Sequence, residues 1–284
     1  MTSDDEPIFA APARTIPMTP DQISQAFCRA RMTASPLPDY PGGHVPETLA
    51  AAYAVQQASI AAWPDQVVGW KVAAIHAKWR DQYPAERLYG PVFSGGLCFA
   101  TADVVDVAVI RGGYAAAEAE FALLLGDNFP VDTRFETAAE LQAFVGAVHA
   151  AVELAGSPLS SLSALGPGAV ISDFGNNTGL VVGPALESFF ARTPGQWPAE
   201  TDVNSALAGS GSAECIPGGP LAALQFLANS LVGSGSTLRP GQWVSTGAST
   251  GVHPIAIGDR VEVRFDGKPA MTLRVGEAAP IAAA

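Results

Sequence analysis

The sequence predicts an α+β fold in which a helical N-terminal segment precedes a β-rich body with a few helices packed against it. Helix-start signals occur in the first sixty residues, and short apolar runs separated by glycine, proline and asparagine turns dominate afterwards. Hydrophobic residues make up 48% of the 284 residues and charged residues only 15%, which is typical of a compact chain with a sizeable core.

Two helices are expected in residues 18–64. Thr19 is a suitable N-cap and Pro20 suits a first helical turn, so a helix is predicted from there to about residue 33. A second helix is predicted over about residues 46–63, because Pro64 follows it. Residues 1–17 carry three acids before their first base, so they are expected to form a flexible arm and not a signal or transit peptide.

Residues 65–276 are expected to form the β-rich catalytic domain, and residues 277–284 a flexible tail. Helices are predicted at residues 136–149 and 218–232. Strands are predicted at residues 67–74, 97–100, 104–110, around 118, 169–175, 179–183, 243–247, 260–265 and 270–275.

Charge and cysteine content limit the possible partners and location. A net charge of −12 disfavours nucleic acid and anionic lipid as partners. No apolar run approaches the roughly 20 residues of a membrane span. Cys28, Cys98 and Cys215 are widely spaced and form no C-x-x-C pattern, which predicts reduced thiols in a cytoplasmic protein.

Two acids lie two residues apart in an otherwise apolar run, at Glu118 and Glu120. In a strand they would project from the same face, where a proton or a cation must compensate two close carboxylates. Oxygen ligands suit Mg²⁺, Mn²⁺ or Ca²⁺. The alternative is a helix or a surface strand whose acids face water.

A third acid, Glu153, also lies in an apolar run, and no lysine or arginine occurs within ten residues of it. No local salt bridge can therefore neutralise its charge. Together with Glu118 and Glu120 it suggests a carboxylate triad that binds a metal.

Several other polar residues are candidates for chemistry. Lys71 is the only base in a predicted strand, and it either reaches out to water or points inward as a functional amine. Asp173 and Asn176 follow a predicted strand, and Ser249 and Thr250 lie in a glycine-rich loop; a plain turn explains either group, while the rim of a site is the functional alternative.

His44 and Glu47 have the spacing of an acid–base dyad, although the electrostatics of a helix start explain Glu47 as well. No nucleophile elbow, phosphate-binding loop or dinucleotide fingerprint is present in the sequence.

The chain resembles the 2-oxopent-4-enoate hydratase group of the fumarylacetoacetate hydrolase superfamily over about residues 22–275. Its helix at residues 220–229 matches the family's, with Phe226 where tryptophan is usual. The other landmarks, in the family's order, are Pro41-Gly42-Gly43, Ala52-Tyr53-Ala54-Val55-Gln56, Gly69-Trp70-Lys71-Val72, Glu118-Ala119-Glu120-Phe121, Ala151-Val152-Glu153-Leu154, residues 173–183, Arg239-Pro240-Gly241, and Gly247-Ala248-Ser249-Thr250 through Gly258-Asp259.

The resemblance implies a mixed β-sandwich or β-roll core, a homo-oligomer, and Mg²⁺ or Mn²⁺ on Glu118, Glu120 and Glu153. It also implies a 2-oxo or 2-hydroxydienoic acid substrate whose oxygens bind the metal. Lewis-acid stabilisation of an enolate would then allow water to add to the conjugated alkene. Lys71 would hold the substrate carboxylate or move a proton.

Two departures from the family pattern bear on the reaction. Ser94 stands where the family usually has an acid, and Ile75-His76 replace a Thr-Ser pair. Both positions are on the substrate side in the family, so His76 is expected to take over the proton transfer, or the reaction differs.

Three functions follow as hypotheses. The first is a metal-dependent hydratase that converts a 2-hydroxy-2,4-dienoate to a 4-hydroxy-2-oxo acid. The second is a decarboxylase of a 2-oxo-3-enedioate, or a C–C hydrolase of an acylpyruvate that uses His44 and Glu47. The third is a non-catalytic relative that binds an oxo acid or only metal.

Overall fold

The protein contains two β-sheets with helices packed against them, as a computed structural model describes for residues 18–101 and 104–281. This confirms the predicted α+β class. The expected arm at residues 1–17 and the last three residues of the expected tail lie outside the described residues. Among the described helices, none has the length and apolar character that crossing a membrane requires.

Two helices precede the first strand, as predicted. Helix α1 spans Pro20–Met32 and helix α2 spans Leu49–Ala62. The backbone N–H of Gln22 donates to the Thr19 hydroxyl, and the Gln22 side chain accepts from the Thr19 N–H, so a reciprocal cap fixes the start of α1.

The larger sheet has the strand order β2-β1-β10-β5-β6-β7-β3, with β11 paired to β5. Its strands are β1 (Val67–Ala74), β2 (Arg87–Phe93), β3 (Leu97–Phe99), β5 (Tyr114–Leu125), β6 (Val145–Ser157), β7 (Asn177–Ala185), β10 (Trp243–Ala248) and β11 (His253–Pro254). The smaller sheet has the order β4-β13-β12-β8-β9. Its strands are β4 (Val105–Val109), β8 (Pro198–Val203), β9 (Ala206–Ser212), β12 (Arg260–Phe265) and β13 (Lys268–Glu277).

The main core lies between the sheets and under helix α5 (Gly219–Leu231). Phe121 of β5 meets Phe265 of β12 edge to face, with ring centroids 5.2 Å apart. Phe121 points to this core, so the alternation of a strand directs Glu120 and Ala122 to the opposite face.

Two predicted elements are wrong. Residues 136–149 were expected to be helical with a break at Gly146, but a 3₁₀ helix covers only Ala138–Phe144 and β6 begins at Val145. Pairing with β5 and β7 on both sides stabilises the strand beyond what local helix propensity offers. Residues 169–175 were expected to be a strand, yet after the short helix α3 (Leu162–Leu165) Pro167–Ser172 forms helix α4, with Pro167 in its first turn.

Strands β2, β8, β9 and β11 were not predicted. In β8, Glu200 and Asp202 form one polar face, and both pair with Arg264 of the neighbouring β12, at 2.8 and 2.5 Å. Cross-strand ion pairs of this kind cannot be recognised before the strand pairing is known.

Candidate metal centre and substrate cleft

Strand register brings the three predicted glutamates together. In the antiparallel β5–β6 pair, Glu118 lies directly opposite Glu153. Glu120 is two residues further along β5 and therefore projects from the same face. All three are buried, and each offers a carboxylate oxygen within 4.8 Å of the others.

Lys71 reaches the same cluster from two strands away. It lies opposite Ser245 of β10, which lies opposite Ala122 of β5, so these residues share the face of the glutamates. The Lys71 ammonium is 3.2 Å from Glu153 Oε1 and donates to Asn176 Oδ1 at 2.9 Å. Because Lys71 is only 1% exposed, the inward orientation considered from the sequence is the one observed.

The cluster holds three carboxyl groups against one ammonium, and their mutual repulsion in a buried site shifts their pKa values. Burial and the neighbouring Glu153 raise the pKa of Glu118 to about 7, although Lys71 lowers it in part. Burial, Glu153 and Glu118 raise the pKa of Glu120 well above its usual value. Burial alone would lower the pKa of Lys71, but the three carboxylates together raise it, so Lys71 remains an ammonium.

The carboxylate oxygens also have unused capacity for a ligand. Glu120 Oε2 accepts from the Ser245 hydroxyl at 2.5 Å and from the Gly247 N–H at 2.7 Å. Within the described residues, Glu120 Oε1 and Glu153 Oε2 are buried without a hydrogen-bond donor. Three carboxylates against one ammonium, with oxygen atoms left free, fit a hard divalent cation. Glu118, Glu120 and Glu153 are therefore grouped so that they could hold the expected divalent metal.

A polar network behind the cluster holds Glu153 in place. Asn177 donates from Nδ2 to Glu153 Oε1 at 3.0 Å. Arg31 of α1 donates to Asp173 Oδ1 at 2.6 Å and to the Asn177 carbonyl at 3.0 Å. Residues 174–176, which lie between Asp173 and Asn177, have φ angles of +54°, +64° and +59°. This turn has a left-handed backbone, and the hydrogen bonds of Arg31 on either side of it hold it in place.

Lys71 and Glu118 of this cluster line a cleft of about 400 Å³, while Glu120 and Glu153 lie behind them and are not part of its lining. Polar or ionisable side chains in its lining are those of Lys71, His76, Trp79, Arg87, Tyr114, Glu118, Ser163, Asn176, Cys215 and Thr246. Apolar residues between them are Ala73, Ala74, Ile75, Leu88, Val170 and Ile216. A polar end with few charged groups and an apolar passage is typical of a site for a small organic acid.

Four of the predicted site residues line this cleft, namely Lys71, His76, Glu118 and Asn176. His76 Nδ1 accepts the Lys78 N–H at 3.2 Å. The neutral ring therefore carries its proton on Nε2 and acts as a donor.

The remaining predicted residues have other partners in the fold. Ser94 is exposed and donates to Asp65, outside the cleft lining. Ser249 donates to the Ala119 carbonyl at 2.6 Å, and Thr250 Oγ1 lies 2.8 Å from Thr201 Oγ1. Their roles as catalytic or substrate-binding residues stay predictions, as does that of Asp173.

His44 and Glu47, the possible acid–base dyad, are not among the residues that line the cleft.

The sequence reasoning missed Arg31, Arg87 and Tyr114. Arg87 had a usable signal, because it is the only base in the run Arg87–Phe93, as Lys71 is in Val67–Ala74. Arg31 had none, since one arginine near a helix end is ordinary helix chemistry.

No protein-family model matches the sequence. Among solved structures, 4-oxalocrotonate decarboxylase from Pseudomonas putida G7, complexed with calcium and acetate, matches with a TM-score of 0.73 at 20% identity, over 90% of this chain and 96% of that one. The same enzyme complexed with magnesium and adipate matches with a TM-score of 0.72 at 20% identity, over 90% and 97%.

A second enzyme, 5-carboxymethyl-2-hydroxymuconate delta-isomerase from Mycobacterium smegmatis, matches with a TM-score of 0.53 at 16% identity, over 75% of this chain and 81% of that one. These neighbours are enzymes of the fumarylacetoacetate hydrolase superfamily. The chain therefore has the fold that these enzymes share.

Proposed function

We propose that this protein is a divalent-metal-dependent lyase of the fumarylacetoacetate hydrolase superfamily that acts on a 2-oxo carboxylic acid through an enolate. The observation that carries the proposal is the set of three buried carboxyl groups facing one lysine, beside a largely apolar cleft that Lys71 and Glu118 line. A cation held there by Glu118, Glu120 and Glu153, Mg²⁺ or Mn²⁺ in this proposal, would supply Lewis-acid stabilisation for charge that develops on the 2-oxo oxygen.

We propose hydration of a 2-hydroxy-2,4-dienoate as the reaction. The dienol loses its hydroxyl proton and gains a proton on C5, which gives the 2-oxo-3-enoate; water then adds its oxygen to C4 and a proton goes to C3. Lys71 is the buried ammonium beside the carboxylates and is suited to deliver protons to carbon. His76 Nε2 is a second donor in the cleft.

Decarboxylation of a 2-oxo-3-enedioate is the second candidate. The enzyme whose fold matches 90% of this chain is a 4-oxalocrotonate decarboxylase. Loss of CO₂ also needs no base to activate water. This suits the cleft, because Nδ1 of His76 already accepts a backbone N–H and is not available as such a base. Both reactions pass through the same kind of dienolate and differ in the bond that changes. C–C hydrolysis by His44 and Glu47 finds no support in the cleft lining.

One assay series tests the activity and separates the two reactions. A panel of 2-hydroxydienoic and 2-oxo-enedioic acids is incubated with Mg²⁺ or Mn²⁺ and, as a control, with a chelator. Loss of dienoate absorbance without CO₂ indicates hydration, and CO₂ release indicates decarboxylation. If the protein binds the cation but turns over none of these acids, the proposed function is contradicted and the protein is a non-catalytic binding protein.

The metal site has its own test. Glu120→Gln removes one negative charge and keeps the shape of the side chain, so binding of Mg²⁺ measured by calorimetry should be lost or strongly weakened. Glu262→Gln is the matched control, because Glu262 pairs with Arg260 on the exposed side of β12, away from the cluster. Unchanged Mg²⁺ affinity in Glu120→Gln would refute the triad.

Two further expectations remain proposals. We propose that the protein forms a homo-oligomer and works in the cytoplasm. The second follows from the cysteine pattern, and Cys28, Cys98 and Cys215 are unpaired in the described residues.

A further inference from the structure

Arg87 is a second basic residue in the cleft, some distance from the carboxylate cluster. It begins β2 and lies opposite Ala74, whereas Gly90 of the same strand lies opposite Lys71. Three residues along a strand advance the chain by about 10 Å. Arg87 lines the same cleft from a backbone position about 10 Å along the sheet from Lys71, and its guanidinium donates to the carbonyl of Pro217 ahead of helix α5.

Within the described residues, Arg87 has one weak ionic partner. Its side chain is 10% exposed, and its Nη1 lies 3.8 Å from a carboxylate oxygen of Glu86, whose side chain is 75% exposed. A pair at that distance with a solvated carboxylate contributes little. Across the described part of the chain, Nε and Nη1 have no hydrogen-bond acceptor.

Burial lowers the pKa of the Arg87 guanidinium, Glu86 raises it, and the nearby positive charge of Arg80 lowers it further. A guanidinium remains charged at neutral pH in any case. A cation that has lost much of its hydration and keeps free N–H groups is stabilised by an anion that enters the cleft.

The rest of the cleft lining is rich in apolar residues, which include Ala73, Ala74, Ile75 and Leu88. This arrangement matches a ligand with an anionic group at each end of a short hydrocarbon chain, because one end meets the metal centre and Lys71 while the other meets Arg87.

We propose that Arg87 forms an anion subsite for a second carboxylate of the substrate, which makes the substrate a dicarboxylic 2-oxo acid. This inference rests on the proposed function, because the first carboxylate and the 2-oxo group are assigned to the metal centre. The planar guanidinium can donate two parallel hydrogen bonds to a carboxylate, which fixes the position of the substrate tail.

The carboxylate at Arg87 is one that the reaction retains. An ion pair with Arg87 stabilises a carboxylate, and the pair is lost when that group leaves as neutral CO₂, so it would oppose decarboxylation at this end. Hydration leaves both carboxylates in place, and its product differs from the substrate by one added water. The subsite therefore favours hydration of a dienedioate over its decarboxylation.

The test uses stable ligands and needs no turnover. Binding of 2-oxoadipate and of 2-oxohexanoate, which differ only in a terminal carboxylate against a methyl group, is measured by calorimetry in Mg²⁺ for the full chain and its Arg87→Met and Arg87→Lys variants. Arg80→Met is the matched control, because Arg80 contributes positive charge near Arg87 but does not line the cleft.

The expected result is that wild-type protein prefers 2-oxoadipate and that Arg87→Met weakens its binding by about 30-fold or more. Binding of 2-oxohexanoate should stay unchanged in that variant, which also shows that it folds. Arg87→Lys should restore part of the preference, and Arg80→Met should retain it.

Equal binding of the two acids by wild-type protein, or an equal loss of both in Arg87→Met, would overturn the subsite and leave the proposed function standing. Binding of neither acid in Mg²⁺ would overturn both.

Discussion

Lys71 Nζ lies 3.2 Å from Glu153 Oε1, and this buried pair is the point where the charge of the lysine meets that of the carboxylate cluster. The same ammonium donates to Asn176 Oδ1, so it cannot move toward another carboxylate without losing a hydrogen bond. The lysine therefore has two effects, since it stabilises the metal-free cluster and opposes the binding of a cation.

Replacing Lys71 should separate these two effects. Lys71→Met leaves the three carboxylates without a positive charge, so we expect the metal-free protein to lose about 3–5 kcal/mol of unfolding free energy at pH 8. Binding of Mg²⁺ should become tighter because a competing cation is gone, while turnover is lost. Denaturant unfolding in chelator, and calorimetry with Mg²⁺, measure the two quantities. Weaker Mg²⁺ binding in this variant would contradict the assignment.

The stability of the metal-free protein should depend on pH through Glu118. Burial and the charge of Glu153 raise its pKa to about 7, from 4.5. The folded state then binds a proton more tightly than the unfolded state, so the stabilisation is complete below pH 4.5 and is lost as the pH rises through 7. The amount is on the order of 3 kcal/mol for one group.

Unfolding curves in chelator from pH 5 to 8 measure this effect. Glu118→Gln, which cannot titrate, should show a flatter dependence over the same interval. Added Mg²⁺ should stabilise wild-type protein more at pH 8 than at pH 5, because metal binding displaces the proton. A wild-type curve that rises from pH 5 to 7 in chelator would contradict this account.

From the sequence, the side-chain alternation of a strand at residues 115–125 predicts that Glu118 and Glu120 share one face. The uncharged surroundings of Glu153 predict that it joins them in a carboxylate cluster. Its position opposite Glu118 depends on the β5–β6 register, which the local sequence does not encode. The inward direction of Lys71 likewise depends on its position between β2 and β10 in the sheet.

The parts that were missed depend on distant partners. Residues 145–149 have an ambiguous local pattern and become a strand because β5 and β7 pair with them. Arg31 lies 142 positions from Asp173 in the sequence, and no spacing rule connects them. The hydroxyls of Ser249 and Thr250 contact the Ala119 carbonyl and Thr201, which the local sequence does not reveal, and their role in binding a substrate stays a prediction.

Arg31 should affect the metal site although it does not touch it. Arg31→Met removes its bonds to Asp173 and to the Asn177 carbonyl, which hold the left-handed turn at residues 174–176. Because a buried charge is left unpaired, we expect a loss of about 3–5 kcal/mol of unfolding free energy. Affinity for Mg²⁺ should fall by about 10- to 100-fold, since Asn177 orients Glu153.

Arg111→Met is the control for that experiment. Arg111 makes a two-pronged pair with Glu277, but its side chain is 67% exposed and solvent screens the pair, so its loss should change stability little and leave Mg²⁺ affinity unchanged. Equal losses in the two variants would show that Arg31 has no special connection to the site.

A substitution at Gly90 should also disturb stability and the metal site, because the turn at residues 174–176 packs directly on this glycine. A Cβ at Gly90 would overlap the carbonyl oxygen of Phe174 and lie 2.9 Å from the Cα of Gly175. Since both contacts are backbone, Gly90→Ala can be accommodated only if the turn moves away from β2. We expect a loss of about 1–3 kcal/mol of unfolding free energy, together with weaker Mg²⁺ binding and lower kcat, because Asn176 holds Lys71.

A matched glycine substitution makes this prediction specific. A Cβ at Gly276 of β13 would have the Val107 carbonyl oxygen at 3.5 Å, an ordinary contact, so Gly276→Ala should leave Mg²⁺ affinity and kcat unchanged. Urea unfolding and Mg²⁺ calorimetry on both variants supply the comparison. If Gly90→Ala loses stability but keeps full Mg²⁺ affinity and turnover, the turn can shift without moving Asn176, and the link between β2 and the metal centre is refuted.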